Sequence, residues 1–359
     1  MTEAQPPRER LLFVDALRGV ALVLMVLNHT GRWWQTGHMT WPRYYLIYVT
    51  LTLAAPIFLF LVGFSVALST SRTDSAGAAL GKGALRGVRI ILAGLLLNLL
   101  VFPEDPIWNN GVLQTIGLAI LVATPAALLV RWRGAQWGLL ALAAAGYLLF
   151  WWRFPSLLEW VSAHPVSSRV FFFEFPPWPW LSLVLVGLVL GGWWVQQPDA
   201  GARARYLWGM AAAGLACLAW FFGWDWWAGT PNRWMTTRDF ILNNHWTPRG
   251  ATLAWIMGTL FCELALFYWL VEILKMPSRW LVILGQTALF LYFTHHFIVF
   301  TLFKQRLGVA FNDWWHFAFA NLALILLLLA MGRGWQEVKR LWRDRWQGTL
   351  WALSGFRRA

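Results

Sequence analysis

Cysteine is almost missing from this chain: Cys217 and Cys262 are the only two among 359 residues. Both lie within apolar runs and have no CxxC or Cys/His neighbours, which excludes a disulfide framework and a zinc-finger-like core. No HExxH or His-x-x-x-His occurs, so the sequence gives no reason to expect a bound metal. Charge is scarce at 13% of residues, and acidic residues are scarcer still, 16 against 29 Lys and Arg. Long polar stretches are missing as well. The longest pieces outside apolar runs are near 153–177, 225–249 and after Gly334, none long enough to fold as a soluble domain. No sequence repeat is visible.

Hydrophobic residues make up 59% of the chain, with 29 Trp and 25 Phe. Apolar runs of about 18 to 25 residues, the length of a bilayer-crossing helix, recur throughout. The expected fold is all-α, a polytopic transmembrane bundle of about ten spans, at 11–30, 44–70, 84–102, 111–130, 136–152, 178–196, 206–224, 250–273, 280–302 and 316–333. Residues 1–333 form the transmembrane domain and 334–359 a basic, Trp-rich tail suited to the inner membrane surface. The first span, interrupted by Asp15 and Arg18 and followed by no small-x-small site, reads as an uncleaved signal anchor.

Lys and Arg decide orientation. Arg8, Arg10, Arg72, Lys82, Arg86, Arg89, Arg131, Arg133, Arg203, Arg205, Lys275, Arg279 and the tail fall on one side, which is read as cytoplasmic; both termini are then inside. The net charge of +13 is spread through these short connections, so it points to topology and anionic headgroups rather than nucleic acid. The lipid bilayer is the expected partner, a homodimer is left open, and the location is an integral, multi-pass one.

Polar residues in the first span need an explanation. In "RLLFVDALRGVALVLMVLNHTG", Asp15, Arg18, Leu22, Met25 and His29 recur every three or four residues and form one helical stripe. That stripe must face the bundle or a wet cavity, since an ionised group facing lipid costs several kcal/mol. Asp15 and His29 stand about 21 Å apart along such a helix. Asp15 and Arg18 fit either a site or an ion pair that fixes packing. His38 follows in "TGHMTW", His295 and His296 lie inside the ninth span, and His245 is in an outer segment. Histidine is the side chain best suited to moving protons near neutral pH, and His29 with His38 in one short segment suggests a proton-transfer site.

The motifs "FVDALRGVALVLMVLNHTG", "GHMTW", "APIFLFLVGFSVALS", "GVLQTIGLAIL" and "LGQTALFLYFTHH", in this order, resemble the transmembrane acyltransferases of the heparan-α-glucosaminide N-acetyltransferase family and its bacterial relatives. The resemblance implies transfer of an acetyl group from cytoplasmic acetyl-CoA to a sugar amine or hydroxyl across the membrane, without a metal. It places the family's outer-loop catalytic histidine on His38 and its Y-x-x-H histidine on His295. Eukaryotic members carry an asparagine near the end of the first helix where this chain has His29, so two histidines can divide the acid and base duties. A smaller glycan or lipid-linked sugar is the expected acceptor, and a bacterial inner membrane the expected location.

Coenzyme A is polyanionic and does not cross lipid, so such an enzyme needs basic groups at its cytoplasmic mouth and a slot for the pantetheine arm. Arg10, Arg18, Arg86 and Arg89 are candidates for the first, with Asp15 beside them; plain positive-inside anchoring is the other reading of Arg86 and Arg89. Asn110, Gln114 and Gln286 are candidates for lining the slot, or for hydrogen bonds between helices. The segment "DWWAGTPNRWMTTRDFILNNHW" is a sugar platform or an aromatic belt at the interface. A secondary transporter would also bury Asp15, Arg18 and Glu263, but should have broken helices in paired positions, and Pro56 has no partner. A non-catalytic glycan-binding protein would need none of the histidines.

The charge asymmetry makes a direct prediction. A cysteine tag after residue 359 should be silent to an impermeant maleimide in intact cells and react after permeabilisation; labelling of intact cells would reverse the orientation.

Overall fold

The computed structural model describes residues 10–36, 40, 43, 46–172, 175–227 and 251–355. The chain runs through α1 (Leu12–Trp33), α2 (Ala54–Ser71, entered through a π-helical turn Leu46–Thr50 and a 3₁₀ turn Leu51–Leu53), α3 (Ala76–Val101), α4 (Val112–Ala127), α5 (Arg133–Ala163) and a short α6 (Arg169–Phe172). It continues through α7 (Pro177–Val195), α8 (Ala200–Trp227), α9 (Ala251–Tyr268), α10 (Arg279–Gln286), α11 (Ala288–His296, prolonged by a π-helix Phe297–Arg306) and α12 (Trp314–Gly355). No strand occurs among the described residues, only a single bridge between Gln35 and Phe311.

Each expected span coincides with a helix or a bent helix pair. Seven of the described helices are long and apolar enough to cross a bilayer, or up to nine if each bent pair is one span. Val112–Ala127 is shorter, 16 residues or about 24 Å. Their outward faces carry Leu92, Leu99, Leu142, Trp208, Leu215 and Leu326, an apolar coat that only lipid would tolerate.

Helix breaks fall where the sequence reading did not put them. Pro56 lies in the first turn of α2, where its missing N–H has no intrahelical acceptor to lose, and it breaks nothing. Instead α5 bends by 56° between Phe150 and Trp152, and α10 meets α11 at 77°. Pro155 explains the first bend, because it cannot donate to the Trp151 carbonyl one turn back. At the second, Thr287 leaves helical geometry (φ −109°, ψ 11°) and its hydroxyl donates to the Ile283 carbonyl at 2.7 Å. α12 runs unbroken through Gly334 for 42 residues, about 63 Å, longer than the roughly 30 Å of a hydrocarbon core.

Helix α1 is the axle of the bundle, touching α2, α9, α10, α11 and α12. Its seam with α10 is glycine-lined: a Cβ on Gly19 would strike the Leu281 carbonyl, and one on Gly285 the Asp15 carbonyl. The α2–α7 seam is built alike, Gly63 facing the Val184 carbonyl and Gly187 the Phe60 carbonyl. Small residues let backbones approach where lipid supplies no hydrophobic drive for association. Trp180, Phe60 and Phe64 are fully buried beside this second seam.

Candidate active site

A cavity of about 440 Å³ runs beside α1, between α2, α3, α4 and α11. This lies within the range of small-molecule sites, roughly 300 to 1,000 Å³. Arg18 and Arg86 line one end. Met25, Phe58, Val62, Ile90 and Ile116 form an apolar throat. Asn28, His29, Arg32, Asp105, Asn109 and His296 surround the other end. From Arg18 to Trp33, both on its wall, α1 rises about 22 Å.

The Arg18 end is anchored on Asp15, whose side chain is 6% exposed. It accepts from Arg18 Nη1 at 2.9 Å, Arg10 Nε at 2.5 Å and Gln286 Nε2 at 3.2 Å. Gln336 Nε2 extends the chain of bonds to Gln286 Oε1 at 2.9 Å, so α1, α10 and α12 are tied together. Arg18 spends a second nitrogen on Ser65 of α2, at 2.9 Å. The glycines of the α1–α10 seam permit this: only a close crossing brings Gln286 to Asp15.

At the far end three imidazoles meet. His29 Nδ1 lies 3.0 Å from His295 Nε2, the rings parallel to within 9°. His295 Nδ1 is 3.0 Å from the Leu291 carbonyl and His296 Nδ1 is 2.9 Å from the Tyr292 carbonyl. A carbonyl only accepts, so both Nδ1 atoms carry protons, and neutral His295 and His296 keep their lone pairs on Nε2. His29 Nδ1 must then donate to His295, which leaves the basic lone pair of a neutral His29 on Nε2. His295 is fully buried and not on the cavity wall, whereas His29 and His296 are.

The α3–α4 connection closes this end. Asn98 donates to the carbonyls of Ile107 and Asn109 at 2.9 and 2.8 Å. Gln114 caps α4, accepting from Gly111 N at 3.1 Å and donating to the Asn109 carbonyl at 3.2 Å. Asp105 receives Arg169 at 3.4 Å.

The residues singled out in the sequence therefore separate. Arg18, Arg86, Gln114 and His29 share the cavity wall. Arg10, Asp15 and Gln286 lie behind it in the Asp15 network. Asn110 is buried, donating to the Phe175 carbonyl and to Thr115 Oγ1, a loop clamp. Arg86 and Arg89 are both exposed, but Arg89, three residues beyond Arg86, is not on the wall. His38, His245 and the aromatic segment from 228 to 249 lie outside the described residues. Sequence reasoning had not chosen His296, Asn98 or Asn109 for the site. The doublet "HH" was the signal for His296, but the helix phase that aims one imidazole at the cavity and the other at His29 is a property of the packed bundle.

These features define an integral, multi-pass membrane protein with an internal cavity that is polar at both ends and apolar between them. Residues 10–223 match the family model described as heparan-alpha-glucosaminide N-acetyltransferase, catalytic. The chain belongs to that family. It is 34% identical to the human heparan-alpha-glucosaminide N-acetyltransferase over 130 residues, 33% of this chain and 19% of that protein. To the mouse enzyme of the same name it is 33% identical over 124 residues, 32% of this chain and 18% of that protein. The match thus spans less than a fifth of either relative.

The Asp15 network has a thermodynamic signature. Asp15→Ala removes the carboxylate partner of Arg18, whose side chain is 20% exposed, and should cost about 3 to 5 kcal/mol. Arg10→Ala, removing a partner whose side chain is 61% exposed, should cost about 0 to 1 kcal/mol. Unfolding of the purified protein in mixed micelles measures both; equal losses would show that Asp15 is not the keystone.

Proposed function

We propose that the chain is a transmembrane acetyltransferase that moves an acetyl group from cytoplasmic acetyl-CoA to an amine or hydroxyl of a sugar at the outer face of a bacterial inner membrane. Both termini are then cytoplasmic. The observation that carries this reading is one cavity among the described residues that has Arg18 and Arg86 at one end and His29 and His296, with Arg32, at the other. Family membership supplies the acyl chemistry; the cavity supplies a route for it.

The reading works physically. Arg86 and Arg18 attract the CoA phosphates, and the apolar throat accepts the uncharged pantetheine arm, setting the thioester towards His29, about 16 Å from Arg18 along α1. The acceptor's nitrogen or oxygen lone pair attacks the carbonyl carbon while its proton passes to a histidine. The tetrahedral centre collapses, the C–S bond breaks, and the CoA thiolate leaves with the electron pair and is then protonated. His295 holds His29 so that Nε2 is its basic atom. The resemblance assigns the principal base to His38, which follows Thr36 by two residues; the Thr36 N–H is itself held by the Phe311 carbonyl at 2.9 Å. His38 is proposed to take the acceptor proton and His29 to relay it. Arg10, Asp15 and Gln286 position Arg18 rather than touch the cofactor, and Arg89 serves as a membrane-surface anchor.

A transporter reading gains from the two bent helices. They are the fifth and ninth of the ten expected spans, however, so they do not occupy corresponding places in two five-span halves, as an inverted repeat requires.

Purified protein supplied with radiolabelled acetyl-CoA and either an amino sugar or its hydroxyl counterpart tests the proposal. His38→Ala and His29→Ala should each slow transfer by about 100- to 10,000-fold while retaining CoA binding. Arg86→Ala should weaken CoA by about 10- to 150-fold, the equivalent of losing 1.5 to 3 kcal/mol, and Arg89→Ala should not. Near-normal transfer by both folded histidine variants would overturn the mechanism.

A further inference from the structure

The three-histidine cluster has a geometry that general-base chemistry does not require. One ligand atom from each of His29, His295 and His296 lies within 4.8 Å of the others, although the first residue is separated from the other two by most of the chain. No linear zinc motif records it, because the ligands come from α1 and α11.

We propose that these imidazoles form a binding site for one divalent transition ion of the zinc class, and that the metal-bound protein is inactive. Four features support a site. The Nε2 atoms of His295 and His296 carry the lone pairs a metal needs. Their Nδ1–H groups are already bonded to the carbonyls of Leu291 and Tyr292, the outer-shell contacts that orient metal-binding histidines. His29 Nδ1 and His295 Nε2 at 3.0 Å are nearly at the roughly 3.3 Å separation that tetrahedral zinc with 2.0–2.1 Å bonds imposes. The widest pair would close by up to about 1.5 Å through imidazole rotation, and His29 and His296 on the wall leave the fourth position to a cavity water. Nitrogen-only ligands favour zinc, copper or nickel over magnesium or calcium.

The metal would replace a proton in the His29–His295 bond. A neutral His29 carries one ring proton, on Nδ1; coordination through Nδ1 moves that proton to Nε2, with no net release. His29 Nε2 then bears a hydrogen and has no lone pair with which to relay a proton. The ion also narrows the cavity where the thioester would sit. This inhibitory consequence rests on the acetyl-transfer reading, whereas the binding site rests on geometry alone.

Zinc binding to the full chain in detergent, stripped beforehand with a chelator, is measured by competition with a chromophoric zinc indicator, with magnesium as control. Wild-type protein should bind one Zn²⁺ and ignore Mg²⁺. His296→Gln and His29→Asn, two polar replacements on different helices, should each weaken binding at least about tenfold, one ligand bond being worth more than 1.4 kcal/mol. Unchanged zinc affinity in both folded variants would place the metal elsewhere and overturn the site. Acetyl transfer by the wild type is followed in parallel and should fall as zinc occupies the site and return on chelation. Zinc bound with transfer undiminished would overturn the inhibitory role but not the site. Absence of transfer at every zinc level would count against the acetyltransferase reading while leaving the binding result intact.

Discussion

A carboxylate inside a membrane helix must find its partners within the protein, and Asp15 is where this bundle meets that demand. Hydrocarbon offers no water to share the charge, so Arg18, Arg10 and Gln286 converge on it. Each donor constrains a different part of the fold. Arg18 shares α1 and continues to Ser65 on α2; Gln286 ends α10 and continues to Gln336 on α12. The glycine seam between α1 and α10 has its purpose here, because Gly19 and Gly285 remove the side chains that would hold Gln286 away.

The same helix carries the opposite end of the cavity under a different rule. Here the groups are imidazoles, which stay in an apolar setting by remaining neutral and spending their polar atoms on fixed partners. His295 and His296 each donate to a carbonyl one turn back, and His295 in turn fixes His29. The result is a directional chain: backbone carbonyl, His295, His29, cavity. Trp33 stacks on His29 with centroids 4.9 Å apart, and Phe102 and Phe300 pack beyond it. These ring contacts favour the orientation in which His29 meets His295, the pre-organisation that a proton-transferring group needs.

How much of this could be read in the sequence follows from which interactions are local. The spans were legible because bilayer thickness sets a run length, and the stripe of Asp15, Arg18 and His29 because helical periodicity is local. The bends were less so. Pro155 has a direct effect on α5, but Pro56 shows that a proline's effect depends on its place in the turn. At the break the Thr287 hydroxyl shares the Ile283 carbonyl with its own backbone N–H, and threonine does this in many helices that stay straight. Asn110, Gln114 and Gln286 were recognisable as polar residues needing partners; whether those partners were a ligand, a loop or a neighbouring helix depended on contacts across up to 271 residues. The division of Arg86 from Arg89 turns on the phase of α3 relative to the cavity, which no spacing within α3 encodes.

Joining the two ends on one helix has a mechanical consequence. Arg18 and His29 are separated by about 16 Å of continuous α-helix, with no proline and no π-bulge between them, so their spacing is set by the backbone ladder rather than by loop packing. A long cofactor that enters at one end and reacts at the other is measured against that ruler. The opposing wall is built differently: α11 starts at a 77° bend and passes directly into a π-helix at Phe297, and His295 and His296 occupy the last α-helical turn between these two irregularities. Distance between distant groups is set by one regular helix, whereas the approach of three imidazoles to within 4.8 Å of one another is set by how α11, itself helical at His295 and His296, packs against α1.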